Sequence, residues 1–509
     1  MNHKKEFLTI SVIIIIIQLL FVIPVFQNIN RALLPIADAM RYNNLALNLI
    51  NHHLYSRDTV PPCRPESFVP PGYPIFIAFG YLIFGKNPIS IIIIQIILSC
   101  VTGILAFLLA LQFLENRKIA FIGGILFGLS PNIAFHSTKL ISESLFTFLI
   151  LLSLYLLLLI IKNKQQIATQ ISSPLMGEDK GGGETCLVPT LSHTPTIKEE
   201  EVKTNFNKQL IPLLLAGFLF GLATYVRTIS IYFPILVFII LLIRQKKINI
   251  RLISIIGFII IYFLTLTPWI IRNTMVFKKP IFATTAEVNV FLYNAPTVIA
   301  SEKGISLSEA RDTIWSEVQT VFANNPQLDT TNEAIRAQIG SRVGLKYILH
   351  SPLTYAKIHG SSFLLNFIVP IGISPLIQYI TGKPLTELQV KPRVMQDALA
   401  LLARGKIKQA VDLVIKERFS NLSPIGFLIL IWAAIFQLFI MIGVIICLIR
   451  YFKKTFYLLI PIIYFTLATG PVCDARLRVP IEPLLIILAA IGYFSMKRRA
   501  NLVNSLKGE

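Results

Sequence analysis

Phe7-Leu-Thr-Ile-Ser-Val-Ile-Ile-Ile-Ile-Ile17-Gln-Leu-Leu-Phe-Val-Ile-Pro24-Val-Phe-Gln-Asn28 runs for 22 residues without a charge. A helix needs about 20 mostly apolar residues to cross a hydrocarbon layer of about 30 Å, so this run reads as a membrane span. His3-Lys4-Lys5 precedes it like the basic start of a signal peptide. No small-x-small cleavage pattern follows, which predicts an uncleaved anchor. Comparable runs recur at about 88–114, 119–135, 141–161, 210–225, 229–243, 251–271, 424–449, 456–470 and 480–496. The expected fold class is an all-α polytopic membrane protein with about ten transmembrane helices.

Composition agrees with that class. Of the 509 residues 54% are hydrophobic and 14% charged, and the mean hydropathy is +0.69. With both termini set in the cytoplasm, the short cytoplasmic pieces carry 17 Lys and Arg, while the short outer turns carry four: Lys139, Arg227, Arg476 and Arg478. That bias follows the positive-inside rule and supports the span count and the orientation together, for a multi-pass protein whose expected place is the plasma (inner) membrane. The net charge of +21 then reflects topology. No basic stripe with interleaved aromatic residues lies on a soluble segment, so nucleic acid is not an expected partner. Five cysteines cannot all pair. Cys63 and Cys473 face the oxidising side, where a bridge between them stays open beside the reading of two unrelated small residues.

The polar stretches between the spans carry the chemistry. After the first span, Asp38, Tyr42, Leu45 and Leu49 fall on one helical face, with Asp38 in the first turn. Such a helix can lie along a bilayer with its carboxylate at the lipid–water boundary. The alternative is that Asp38 only complements the positive end of its helix. Six prolines between Pro61 and Pro74 then demand an extended segment, and Tyr73–Gly85 reads as a second interfacial helix. His52, His53, Asp58 and Glu66 beside Asp38 match no metal-ligand spacing and read equally as surface residues.

Glu143 stands at the mouth of an otherwise apolar helix, where an acid needs a partner or a role. Lys139, one helical turn earlier, is the simplest partner. Tyr225-Val-Arg227-Thr228 fills a short outer turn, and Pro268-Trp269-Ile-Ile-Arg272-Asn273 closes the seventh span. Ser306-Leu-Ser-Glu309 and Thr330-Thr-Asn-Glu333 read as capping boxes within a helical outer region. Ser361–Ile380 is apolar but broken by Pro370 and Pro375, and is expected to be interfacial. The last outer turn, Asp474-Ala-Arg476-Leu-Arg478-Val-Pro480-Ile-Glu482-Pro483, packs two arginines and two carboxylates into ten residues.

The expected segments are thus a membrane module over 1–161 with the first outer loop, a disordered cytoplasmic insertion over 162–209, and the module's continuation over 210–271. An extracytoplasmic helical region over 272–423 and C-terminal helices over 424–509 follow. The insertion, with Gly181-Gly-Gly183 and Glu199-Glu-Glu201, is expected to contribute nothing to chemistry.

Acids and arginines thus gather on one rim, whereas a transporter would keep its polar groups near the midplane. Arginine grips a phosphate bidentately and offsets charge on a departing one, and a carboxylate can take an acceptor's proton. No Gly-rich phosphate loop or βαβ pattern appears, which argues against a nucleotide-sugar donor. The arginines could instead pair with Asp474, Glu482 and lipid headgroups.

The Asp38-x-x-x-Tyr42 helix, Pro70-Pro-Gly-Tyr-Pro74, Ser142-Glu143-Ser144-Leu-Phe146, Pro268-Trp269-x-x-Arg272-Asn273 and Arg476-x-Arg478-x-Pro480-x-x-Pro483 resemble the GT-C glycosyltransferases. The branch resembled holds protein mannosyltransferases, the aminoarabinose transferase of lipid A and bacterial mannosyltransferase-like membrane proteins. The resemblance covers about 1–300 and 424–509.

It implies an inverting transferase that moves a hexose or pentose from a polyprenyl-phosphate donor outside the cytoplasm. The acceptor would be lipid A or lipopolysaccharide, another glycan or a protein. Asp38 and Glu143 match the family's two acidic positions and are the expected catalytic residues. Arg227, Arg272, Arg476 and Arg478 are expected on the donor phosphate, with Tyr42, Lys139, Asn273 and Asp474 supporting. The chain departs from many members in having Ala39 after Asp38, and region 272–423 matches nothing in the family. No cofactor is assigned, and a divalent metal is left open. The alternative function is a non-catalytic binder or translocase of lipid-linked glycans.

Overall fold

The computed structural model describes every residue except 1–2, 34–36, 115, 172–194, 249–250, 384–386, 388–393, 420–421, 473 and 495–509. Every regular element among the described residues is helical. Six helices are long and apolar enough to cross a membrane: Lys4–Gln27, Pro88–Phe113, Glu143–Ile160, Gln209–Val226, Leu252–Phe277 and Pro424–Ala468. Two bent pairs raise the number to eight: Arg117–Gly128 with Pro131–Ser137, and Pro352–Ile368 with Ile373–Thr381, each bent by 52°.

The differences from ten have local causes. Residues 119–135 expected as one span break at Ser130, which caps the second helix and is followed by Pro131. The spans expected at 424–449 and 456–470 lie end to end within Pro424–Ala468 as two helices joined across a kink at Tyr451 (φ −130°, ψ 17°). The 45 residues, at about 1.5 Å each, amount to about twice a hydrocarbon thickness, and the basic Arg450, Lys453 and Lys454 flank the kink. Helices at 233–248 and 482–494 are shorter than a span. The stretch expected to lie at the interface, 361–380, falls in the second bent pair and passes the span criterion only as such.

The largest apolar core unites most of these helices, a second joins the first span to Ile373–Thr381 and Pro424–Ala468, and a third fills the region between Phe291 and Ala400. Hydrogen bonds dock that layer on the membrane module. Thr284 N–H donates to the Ser67 carbonyl at 2.8 Å, and Trp269 Nε1 to the Phe282 carbonyl at 2.9 Å. The Ser306–Glu309 capping box is present. The one expected at Thr330–Glu333 is not: Asn332 caps the Glu333–His350 helix, and the Glu333 carboxylate accepts from Ser67 and pairs with Arg57 at 3.1 Å. The helices flanking the insertion continue to Ile171 and start again at Pro195, and Cys186 and Cys473 lie outside the described residues.

Glu482–Phe494 is apolar on all sides and buried from Glu482 to Gly492, as a helix ringed by others must be. It packs so closely on Pro424–Ala468 that a Cβ on Gly492 would sit 2.0 Å from the Gly443 carbonyl oxygen. Only glycine fits there. Gly492→Leu is expected to lower stability by more than the ~1–3 kcal/mol of ordinary overpacking, because backbone must move. Gly360→Ala, with nothing within 4 Å of the added carbon, should be neutral or better. Thermal unfolding of both variants in detergent checks the contrast.

Candidate active site

Helix Ala37–His52 buries Ala39, Tyr42, Leu45 and Ala46 against the protein and leaves Asp38 on its rim. The Tyr42 ring meets Tyr73 edge-on at 4.9 Å, which fixes this helix against Gly72–Phe84. Tyr73 donates to Gln95 Oε1 at 2.6 Å, and Gln95 Nε2 donates to the carbonyls of Ser137 and Lys139, both at 2.8 Å. The turn held in this way is fully buried, so its backbone groups need such a partner. Glu143 begins the next helix directly behind it, where the positive helix end favours a carboxylate.

Two arginines close on Glu143. Arg227 stands in extended backbone just past helix Pro195–Val226, and its Nη1 donates to Glu143 Oε1. Arg476 belongs to the 3₁₀ turn Ala475–Arg478, which Asp474 caps by accepting the Arg476 N–H at 2.9 Å. Its Nε donates to the same Glu143 oxygen, and its Nη1 donates to Asp38 Oδ2 at 2.8 Å. Arg41 Nη1 approaches Asp38 Oδ1 at 3.4 Å. Residues 38, 143, 227 and 476 thus share one constellation. Its burial is graded: Glu143 is fully buried, Arg476 and Arg227 are 10% and 16% exposed, and Asp38 is 31% exposed.

The constellation has unused hydrogen-bonding capacity. Among the described residues Arg476 Nη2 and Arg227 Nε and Nη2 make no hydrogen bond. The second oxygen of Glu143 is buried without a partner, as are Ser142 Oγ and His136 Nε2. Burial raises the Asp38 pKa, but the Arg476 and Arg41 guanidiniums outweigh it and hold the carboxyl below its ordinary value. Asp474 differs: burial pushes its carboxyl up despite the N–H that it accepts.

The remaining expected residues are placed elsewhere. Arg478 is buried against the carbonyls of Asn366, Val369 and Pro370 and pairs with Glu482 at 3.4 Å. In a turn with three residues per revolution, positions 476 and 478 point to different sides. Glu482 also accepts from Asn132 at 2.6 Å and from Ser130. Arg272 stands over the Trp269 ring at 4.8 Å and donates to Asn273 Oδ1 at 2.8 Å, while Asn273 Nδ2 holds the carbonyls of Ile281 and Phe282. Lys139 does not pair with Glu143. Its Nζ lies 3.4 Å from the Tyr379 ring centroid and 4.4 Å from that of Phe135. The turn between residues 138 and 142 is not helical, so the i, i+4 geometry that would join the two is lacking. Sequence does not single out Arg41 and Gln95: Arg41 follows Asp38 at i+3, and Gln95 is one of two amides, with Gln112, in an apolar run.

Both site carboxylates are paired with guanidiniums. Among the described residues no group of three His, Cys, Asp or Glu side chains could hold a metal ion.

The sequence profile of the dolichyl-phosphate-mannose-protein mannosyltransferase family matches residues 69–177. That match and the ordered motifs carry one resemblance, to the GT-C superfamily of membrane glycosyltransferases. No curated protein matches the chain. Among solved structures, the oligosaccharyltransferase AglB from Archaeoglobus fulgidus, in complex with an inhibitory peptide and a dolichol-phosphate, is 13% identical with a TM-score of 0.47. The alignment covers 100% of this chain and 52% of that one, so the chain spans about half its length. ArnT from Cupriavidus metallidurans, bound to undecaprenyl phosphate, is 11% identical over 94% of this chain and 77% of that one, with a TM-score of 0.35. At these scores neither likeness extends to any residue of the site.

Glu143 is the anchor of the constellation. Removing its charge in Glu143→Gln leaves two arginines facing each other in a buried place and should cost about 3 kcal/mol. Asp38→Asn, at the exposed end, should cost under about 1 kcal/mol. Denaturation of the two variants side by side in detergent reads the difference.

Proposed function

We propose that the chain is a GT-C-type glycosyltransferase that moves a sugar from a polyprenyl-phosphate donor to a hydroxyl-bearing acceptor at the outer face of the membrane. The observation that carries this reading is the Arg476 bridge between Asp38 and Glu143, with Arg227 on the same Glu143 oxygen. An exposed carboxylate beside guanidiniums with unused donors is what transfer from a phosphate requires.

In that reaction the donor phosphate sits on the open N–H groups of Arg476 and Arg227. The acceptor oxygen attacks the anomeric carbon from the opposite side, and the bond from that carbon to the phosphate oxygen breaks with inversion. The electron pair stays on the phosphate, where the guanidiniums offset its charge. The acceptor's proton passes to Asp38. A carboxylate held below its usual pKa is a weak base, so the proton moves late, once the new bond has acidified the hydroxyl. Glu143 touches neither reactant and keeps both arginines aimed.

The sugar is a hexose or pentose, and the acceptor is lipid A or lipopolysaccharide, another glycan, or a protein. The enzyme would lie in the plasma membrane with both termini in the cytoplasm.

Reconstitution in bilayers with radiolabelled polyprenyl-phosphate sugars and nucleotide sugars, offered in parallel, tests the reading. Transfer from the lipid-linked donor is expected, with turnover in Asp38→Asn reduced by about 10²-fold or more while donor binding is kept. Use of the nucleotide sugar alone contradicts it, an Asp38→Asn variant with full turnover returns Asp38 to complementing its helix end, and donor binding without any transfer makes the protein a binder or translocase.

Acidity gives an independent check. A lowered pKa means that the Asp38 charge is fully present above the ordinary aspartate value and is lost only as pH falls through the lower, folded one. kcat/KM should therefore stay level between about pH 7 and pH 5, with any acid limb due to Asp38 below about pH 4. A limb near pH 6 would assign the proton to another group.

A further inference from the structure

Away from the ion-paired constellation, a cavity of about 440 Å³ opens between the end of helix Leu307–Ala323, helix Glu333–His350 and the residues just past span Leu252–Phe277. Helix Glu333–His350 turns two adjacent stripes to it at helical spacing. One is apolar: Ile335, Ile339 and Val343. The other is polar: Gln338, Arg342 and Lys346. Lys279 adds a third cation from the other side, and no acidic side chain lines the cavity.

None of the three cations makes an ion pair or a side-chain hydrogen bond among the described residues. That sets them apart from other cations nearby, such as Arg57 on Glu333 and Arg311 on the Leu292 carbonyl. Three like charges around one hollow repel each other, and an anion between them relieves that. Depth fixes which kind of anion. Lys279 lies two residues beyond Phe277, the end of a 26-residue apolar span, and so at the level where hydrocarbon gives way to water. Phosphate headgroups occupy that level. A free phosphate would have no use for the apolar stripe, whereas a lipid would lay its glycerol and first methylenes on it.

We infer that this cavity is a binding site for the phosphate headgroup of an anionic lipid, separate from the transfer site. Arg342, Lys346 and Lys279 take the charge, and Ile335, Ile339 and Val343 take the start of the tails. The site does not depend on the proposed transferase activity. It gives the helical layer a second attachment to the bilayer beside its hydrogen bonds to the membrane module.

The test is native mass spectrometry of the full chain in detergent, titrated with phosphatidylglycerol, phosphatidylcholine and glycerol 3-phosphate. Phosphatidylglycerol should bind best, and Arg342→Gln/Lys346→Gln should weaken it by about tenfold. Lys303→Gln/Lys406→Gln/Lys408→Gln removes three exposed charges from the same layer away from the cavity, and should leave binding unchanged. Asp38→Asn should bind the lipid like the parent chain. Equal loss in the Lys303/Lys406/Lys408 control would reduce the effect to general surface charge and overturn the site. Equal binding of phosphatidylcholine, or displacement by glycerol 3-phosphate at matching concentration, would overturn the lipid assignment. Loss of binding in Asp38→Asn would place the lipid in the transfer site instead.

Discussion

A fully buried carboxylate in an apolar bundle is the constraint around which this protein is arranged. Glu143 cannot keep its charge there without partners, because desolvation of a lone acid costs several kcal/mol. Arg227 and Arg476 supply those partners, and they come from chain segments 84 and 333 residues away. The ion pairs therefore tie three distant segments of the chain together. Arg476 passes the constraint on to Asp38, which stands at the accessible end. The buried acid gathers the arginines, and the more accessible one is the carboxylate to which the proposed function gives the acceptor's proton.

Neutral and charged hydrogen bonds behind the constellation keep it in place. Gln95 ties the turn before Glu143 to Tyr73, and Tyr73 packs on Tyr42 in the helix of Asp38. On the opposite side, Glu482 joins Asn132, Ser130 and Arg478, and Arg478 in turn holds three carbonyls between Asn366 and Pro370. Arg476 and Arg478 are thus neighbours with separate tasks. One joins Glu143 and Asp38, and the other fastens the turn at 475–478 to the carbonyls of Asn366, Val369 and Pro370.

Much of this was legible in sequence, for physical reasons that can be named. Apolar runs of span length announce the membrane class, and charges are rare enough in them that Asp38, Glu143, Arg227 and Arg476 stand out. What failed was local geometry. Lys139 has the right spacing for Glu143 only if the chain between them is helical, and it is a turn instead. Arg478 looks like Arg476 in sequence, and the 3₁₀ conformation alone separates them. Thr330-x-x-Glu333 has a capping-box pattern, yet Glu333 gains more from Ser67 and Arg57 across the layer boundary. Hydropathy does not show where a helix bends: the run expected at 119–135 breaks at Ser130 with a bend of 52°, and the two runs expected at 424–449 and 456–470 meet at a kink at Tyr451.

The proposed role of Arg476 and Arg227 is to present their remaining N–H groups to a lipid-linked phosphate. Equilibrium binding of polyprenyl phosphate without its sugar, measured for the parent chain, Arg227→Lys and Arg476→Lys, tests this most directly. Lysine keeps the charge but loses the planar fork, so affinity should fall by about tenfold in both variants, while Arg272→Lys, which stands apart over Trp269, should change it far less. Unchanged binding in both Arg227→Lys and Arg476→Lys, in folded protein, would contradict the claim.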